Sequence, residues 1–101
     1  MTLFEEKVYS AAQKIPKGRV ATYKSIAKAV GRRGATRAVG NALNKNPFAP
    51  RVPCHRVVKS DGTIGGFASG SREKIKLLKK EGVEIKNGKI DLSRFGFRPR
   101  Q

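Results

Sequence analysis

The chain has 101 residues, 38% hydrophobic and 30% charged, with 23 Lys and Arg against 7 Asp and Glu, a formal net charge of +16. That length fits one small domain with a modest core. The apolar share excludes a disordered polyelectrolyte, and no apolar run is long enough to span a bilayer.

The charge favours a polyanionic partner, nucleic acid ahead of an anionic membrane surface. One Cys cannot form an internal disulfide, which fits a reducing, intracellular compartment, cytoplasmic or nuclear. Glu5 and Glu6 stand where a secretory signal would be basic.

Thr2 and Glu5 have capping-box spacing and open a first helix. Its apolar positions are Leu3, Phe4, Val8, Ala11, Ala12 and Ile15, and Pro16 and Gly18 close it. Thr22 caps a second helix with Tyr23, Ile26, Ala27 and Val30 inward and Gly31 as its stop. A third helix spans about Thr36 to Asn44, with Val39, Ala42 and Leu43 inward, and Asn46-Pro47 ends it.

Two short helices around a Gly-containing turn read as helix-turn-helix. Arg37, Ala38, Gly40 and Asn41 fall on or near the exposed face of the second, where small residues let a backbone approach DNA. Phe48 to Val52 is a loop set by prolines.

Asp61-Gly62 predicts a hairpin pairing 56–59 with 63–64, and Asn87-Gly88 a second hairpin and wing pairing 83–86 with 89–92. Between them, Gly65, Gly66 and Gly70 mark a loop, and Ser71 caps a fourth helix with Ile75, Leu77 and Leu78 inward and Gly82 as its stop. Residues 93–101 read as a loose basic tail after a domain over 1–92. The expected fold is mostly α with short β-hairpins, a winged helix-turn-helix in a single domain.

The only Cys lies beside the only His, in Pro53-Cys54-His55-Arg56-Val57. That pairing suggests a thiolate nucleophile with a proton acceptor at hand; the plainer reading of an isolated Cys is a small buried hydrophobe. One Cys and one His without CxxC or HxxxH spacing fall short of a metal site. A two-lobed Cys-His protease has little room in this length.

Three blocks together resemble the O6-alkylguanine-DNA alkyltransferases. They are Thr36-Arg37-Ala38-Val39-Gly40, like that family's recognition-helix segment, then Asn46-Pro47, then Pro53-Cys54-His55-Arg56-Val57-Val58, like its active-site signature. The resemblance runs from the first helix to Gly82 and corresponds to the family's C-terminal DNA-binding and catalytic domain, with the usual N-terminal domain expected to be absent.

The resemblance implies that Cys54 accepts an alkyl group from guanine O6. His55 acts as base through a water, Glu81 holds the imidazole, and Asn46 braces the turn around the cysteine. Tyr23 contacts a phosphate beside the damaged nucleotide. Arg37 fills the stack left by the flipped base, and Thr36, Ala38, Gly40 and Asn41 complete the DNA-facing helix. The flipped base enters a pocket lined by Val57, Gly65, Phe67, Ala68 and Ser69; flipping is required because O6 lies inside the duplex. Phe67 stands where many members carry a Tyr that hydrogen-bonds the base.

The expected partner is duplex DNA containing O6-alkylguanine, bound by a monomer without cofactor or metal. The rival is an alkyltransferase-like damage sensor that binds without transfer; such proteins replace the acceptor cysteine, whereas this chain keeps Cys54. A winged-helix DNA binder without damage chemistry is the third reading.

Overall fold

The structure, a computed structural model, describes residues 1–65 and 70–99. In chain order it comprises α1 (Leu3–Gln13), β1 (Ala21–Thr22), α2 (Tyr23–Ala29), α3 (Thr36–Asn44), a 3-10 turn (Cys54–Arg56), β2 (Val57–Val58), α4 (Ser71–Lys80) and α5 (Leu92–Phe95).

The helix starts follow local chemistry. Thr2 Oγ1 accepts the Glu5 N–H at 3.0 Å while Glu5 Oε1 accepts the Thr2 N–H at 2.9 Å. Glu5 also meets Lys45 Nζ at 2.7 Å, tying the start of α1 to the end of α3. The Lys45 hydrogen bond and the capping bonds push the Glu5 carboxyl down to about 2. Thr22 and Ser25 form the same reciprocal box at the start of α2, both bonds at 3.0 Å. Gly31 ends α2 at φ +80°, a conformation open to Gly because it has no Cβ.

The expected inward faces of α2 and α3 are in place: Ile26, Ala27, Val39, Ala42 and Leu43 are buried, with Tyr23 and Val30 packed against them. Leu3 departs from its expected place. It lies in the first turn of α1 and is 67% exposed, while Tyr9 takes a buried position and donates its hydroxyl to the Ala42 carbonyl at 2.7 Å.

The first hairpin is replaced by a different pairing. Val57 and Val58 pair in parallel with Ala21 and Thr22, while Thr63 bridges to Lys89 across the molecule. What the Asp61-Gly62 turn keeps is its own closure, Lys59 N–H to Thr63 O at 3.0 Å and Gly62 N–H to Lys59 O at 2.9 Å. A turn sequence fixes a reversal, but burial chooses the partner: Val57 and Val58 are both fully buried, and a hairpin could not cover both of their faces. The second hairpin shrinks to a single Lys86–Lys89 bridge around Asn87 and Gly88, both at positive φ.

The small parallel pair divides two cores. Val57 and Ala21 belong to the cluster built from α1, α2, α3 and Val52, whereas Val58 and Val20 belong to the cluster with Ile64, Leu78, Val83, Ile90 and Phe95. Successive strand residues point to opposite faces, so four consecutive-type apolar positions serve two cores at once. Burying each valine contributes about 1.5–3 kcal/mol.

Two further expectations change. Ser71 is the first residue of α4, after Gly70 at φ +95°, and makes no side-chain cap. The described part of the segment expected as a loose tail, residues 93–99, is tied to the body. α5 runs through the expected boundary, Asp91 caps it by accepting the Ser93 N–H at 3.0 Å, Phe95 and Pro99 are buried, and the Phe97 N–H donates to Val20 O at 2.7 Å. Phe95 supplies the apolar anchor that a run read only for its arginines conceals.

Candidate active site and nucleic-acid interface

Cys54 opens the 3-10 turn, half-buried and free of any disulfide, with its N–H donated to Val52 O at 2.9 Å. The loop before it is braced by Asn46, whose Nδ2 donates to Val52 O at 2.8 Å and whose Oδ1 accepts the Phe48 N–H at 2.9 Å. Both arms of that amide are used, so Asn46 does more than stop a helix.

His55 is 5% exposed, and its Nε2 lies 3.0 Å from Glu81 Oε2. Glu81 caps α4, where the helix dipole disfavours a negative charge. Arg56 offsets that conflict: its Nε donates to Glu81 Oε1 at 2.8 Å, its Nη2 to Oε2 at 2.7 Å, and its Nη1 to the Ile15 carbonyl at 2.9 Å. Burial works to raise the Glu81 carboxyl, but hydrogen bonds and charge from Arg56 and His55 outweigh it and leave the group below its ordinary value. An ionised carboxylate only accepts, so His55 Nε2 carries a hydrogen and donates to Glu81, leaving Nδ1 as the ring nitrogen turned away from that carboxylate. A nucleophile's neighbour with a fixed tautomer and a charged orienter is the arrangement that acid–base assistance to a thiol requires.

Sequence reasoning offered Arg56 only as a structural ion-pair partner, which its grip on Glu81 makes it, and missed Lys74. Lys74 is fully buried, and its Nζ donates to Val57 O at 2.6 Å and to the Tyr23 hydroxyl at 3.3 Å. Burial lowers Lys74 to about 8, with the nearby Cys54 acting weakly in the opposite direction. Tyr23 is raised by burial and then by Cys54, so it stays a neutral phenol. The signal for Lys74 was available: it shares the α4 face of Leu78 and Glu81 at helical spacing.

Beside this lies a groove of about 560 Å³ whose wall includes Tyr23, Thr36, Arg37, Gly40 and Asn41, with Lys24, Asn44, Lys59, Ser60 and Asp61. Five of the expected DNA-facing residues thus meet on one surface. Ala38 is exposed on α3 but outside this lining. Gly65 approaches the Tyr23 ring so closely that an added Cβ would come within 3.3 Å of it, whereas one at Gly40 would meet the ring at an ordinary 4.0 Å. Val57, expected on a pocket wall, has its side chain fully buried in the core and offers its carbonyl to Lys74 instead. Phe67, Ala68 and Ser69, expected in the pocket, lie outside the described residues. Among the described residues no cluster of His, Cys, Asp and Glu could hold a metal ion, and no helix is long and apolar enough to cross a membrane.

Residues 3–83 match the family model described as 6-O-methylguanine DNA methyltransferase, DNA binding domain. The chain is 49% identical over 81 residues to a methylated-DNA–protein-cysteine methyltransferase of Methanosarcina acetivorans, covering 80% of this chain and 52% of that protein. It is 44% identical over 90 residues to a bifunctional methyltransferase/endonuclease of Picrophilus torridus, covering 89% of this chain and 30% of that protein. The chain therefore spans about half or less of these curated relatives. Among solved structures, S. pombe Atl1 in complex with damaged DNA containing O6-carboxymethylguanine superposes with a TM-score of 0.87 at 36% identity, over 98% of this chain and 100% of that one. Mycobacterium tuberculosis OGT in complex with DNA gives 0.78 at 42% identity, over 80% of this chain and 50% of that one. With residues 3–83 matched by that family model, and Cys54, His55 and the exposed α3 face all within them, the chain belongs to the 6-O-methylguanine DNA methyltransferase family through its DNA-binding domain.

Proposed function

We propose that this domain is a DNA-repair alkyltransferase, a methylated-DNA–protein-cysteine methyltransferase that acts once. The observation that carries the reading is the His55–Glu81–Arg56 chain standing directly after the free Cys54. α3 enters the minor groove of duplex DNA with Thr36, Ala38, Gly40 and Asn41 against the backbone and groove floor. Arg37 fills the gap in the stack, and Tyr23 guides the alkylated nucleotide outward. Gly65, Phe67, Ala68 and Ser69 receive the flipped base.

His55 Nδ1 takes the thiol proton through a water, and Glu81 balances the imidazolium. The Cys54 thiolate attacks the alkyl carbon. An S–C bond forms, the C–O6 bond breaks, and its electron pair passes to the guanine, which regains a proton at N1. The net exchange moves the alkyl group to sulfur and the thiol hydrogen to guanine. A thioether is no leaving group here, so each molecule works once. Lys74 holds Tyr23 and the Val57 carbonyl beside this centre.

A second reading, a damage sensor without transfer, is favoured by the full-length match to Atl1 bound to O6-carboxymethylguanine DNA. One experiment separates them. Intact-protein mass spectrometry after incubation with an O6-methylguanine duplex should show one added methyl group, absent in Cys54→Ala. No mass change with tighter binding to the damaged duplex than to the plain one would replace transfer with sensing.

A further inference from the structure

Residues 84–99 lie beyond the stretch matched by the family model, yet they help to build a second groove. It encloses about 1070 Å³ and carries four cations, Lys24, Lys28, Arg33 and Arg98, over a half-buried floor that includes Leu92 and Phe97. No Asp or Glu is among its described lining residues. It shares Lys24 and Ser60 with the groove beside α3, so the two run into one another around the outer face of α2.

We propose that this C-terminal segment completes a phosphate-binding track that holds the flank of the duplex next to the recognition groove. The inference rests on the duplex-binding function above and deepens it. Charge complementarity selects the occupant: a one-sided cationic trough gains affinity from a polyanion by releasing its condensed counterions. Its apolar side chains form the floor instead of protruding, as a bilayer would require.

The segment is anchored, which makes Arg98 more than a tail charge. The Val20 N–H donates to Phe95 O at 2.9 Å, the Phe97 N–H to Val20 O at 2.7 Å, and Arg19 Nη1 to Gly96 O at 3.3 Å. A Cβ at Gly96 would collide with the Leu92 carbonyl, so the close turn from α5 that delivers Arg98 requires glycine. Ordering of this backbone is met by folding, and a phosphate finds the cation already positioned.

The test is fluorescence anisotropy across a salt series, with an O6-methylguanine duplex long enough to extend past both grooves. Arg98→Gln should lower the slope of log K against log salt by about 0.9, and Lys28→Gln with Arg98→Gln by about twice that, with roughly tenfold weaker binding near physiological salt. The control is Lys76→Gln with Lys79→Gln, which removes the same charge from exposed positions on α4 that line neither groove. It should leave the affinity within about twofold of the parent, since unscreened long-range terms are small at that salt. Circular dichroism melts would show that each variant folds. Equal losses in both pairs, or no loss in the groove pair, would overturn the track while leaving duplex binding intact. A parent that binds no duplex would overturn the functional reading, and the track with it.

Discussion

His55 and Glu81 meet at 3.0 Å, Nε2 to Oε2, although 26 residues separate them in the chain. The contact exists because Arg56 grips the same carboxylate and ties it to Ile15 in the turn after α1. Glu81→Gln keeps the shape but removes the charge that fixes the tautomer and balances an imidazolium. Alkyl transfer should slow by about 10²-fold, while duplex affinity holds within twofold. Single-turnover kinetics followed by mass, beside anisotropy, would check both.

The same carboxylate makes stability depend on acid. Its folded value lies below its unfolded one, so its contribution is complete above the ordinary Glu range and is lost as pH falls through the folded value. Urea midpoints between pH 7 and pH 3 should fall more steeply for the parent than for Glu81→Gln.

Arg56→Lys keeps a charge but cannot hold two carboxylate oxygens and a carbonyl with one planar fork. We expect a loss of about 2 kcal/mol in stability, from the hydrogen bonds to charged groups. Transfer should be slowed to a similar degree as in Glu81→Gln. Chemical denaturation and the mass assay read the two effects.

Lys74→Met should change the alkaline limb. Burial lowers Lys74 to about 8, against an unfolded value of 10.5. Between these values the unfolded chain binds the extra proton, so the parent gains stability as pH rises, by roughly 3 kcal/mol over the window. The Met variant lacks that gain. Equal slopes of the two denaturation midpoints from pH 7.5 to 10 would show that Lys74 titrates normally.

Asn46→Ala removes both bonds that shape the loop before Cys54 and should cost about 1–2 kcal/mol. Asn46→Asp should be worse than Ala at neutral pH, since a carboxylate then faces the Val52 carbonyl. Melting temperatures of the three proteins give the order.

Much of the candidate site's layout was legible in the chain. Cys54, His55, Asn46 and the exposed face of α3 follow from motif and period, because local rules govern caps, turns and helix faces. Long-range partners were harder to read. Asp61-Gly62 announces a turn but cannot say that Val57 and Val58 prefer Ala21 and Thr22 to Thr63 and Ile64. That choice depends on burying two valines on opposite faces. Spacing alone put Lys74 on the inner face of α4, but the acceptors that hold Lys74 and Arg56, on β2, after α1 and at the end of α4, come from distant parts of the chain.

β1 is paired by Val57 and Val58, and Val20, just before it, forms a separate bridge to Gly96. This fixes an order during synthesis. α1, α2, α3 and Cys54 emerge from the ribosome while Val20 still waits for residues 95 to 97. Until they arrive, Val20 keeps unpaired backbone groups beside an unfinished core, the kind of edge that recruits a stray strand. A nascent chain stalled between Cys54 and Gly96 would thus carry Cys54 before Phe95 and Phe97 complete the two cores.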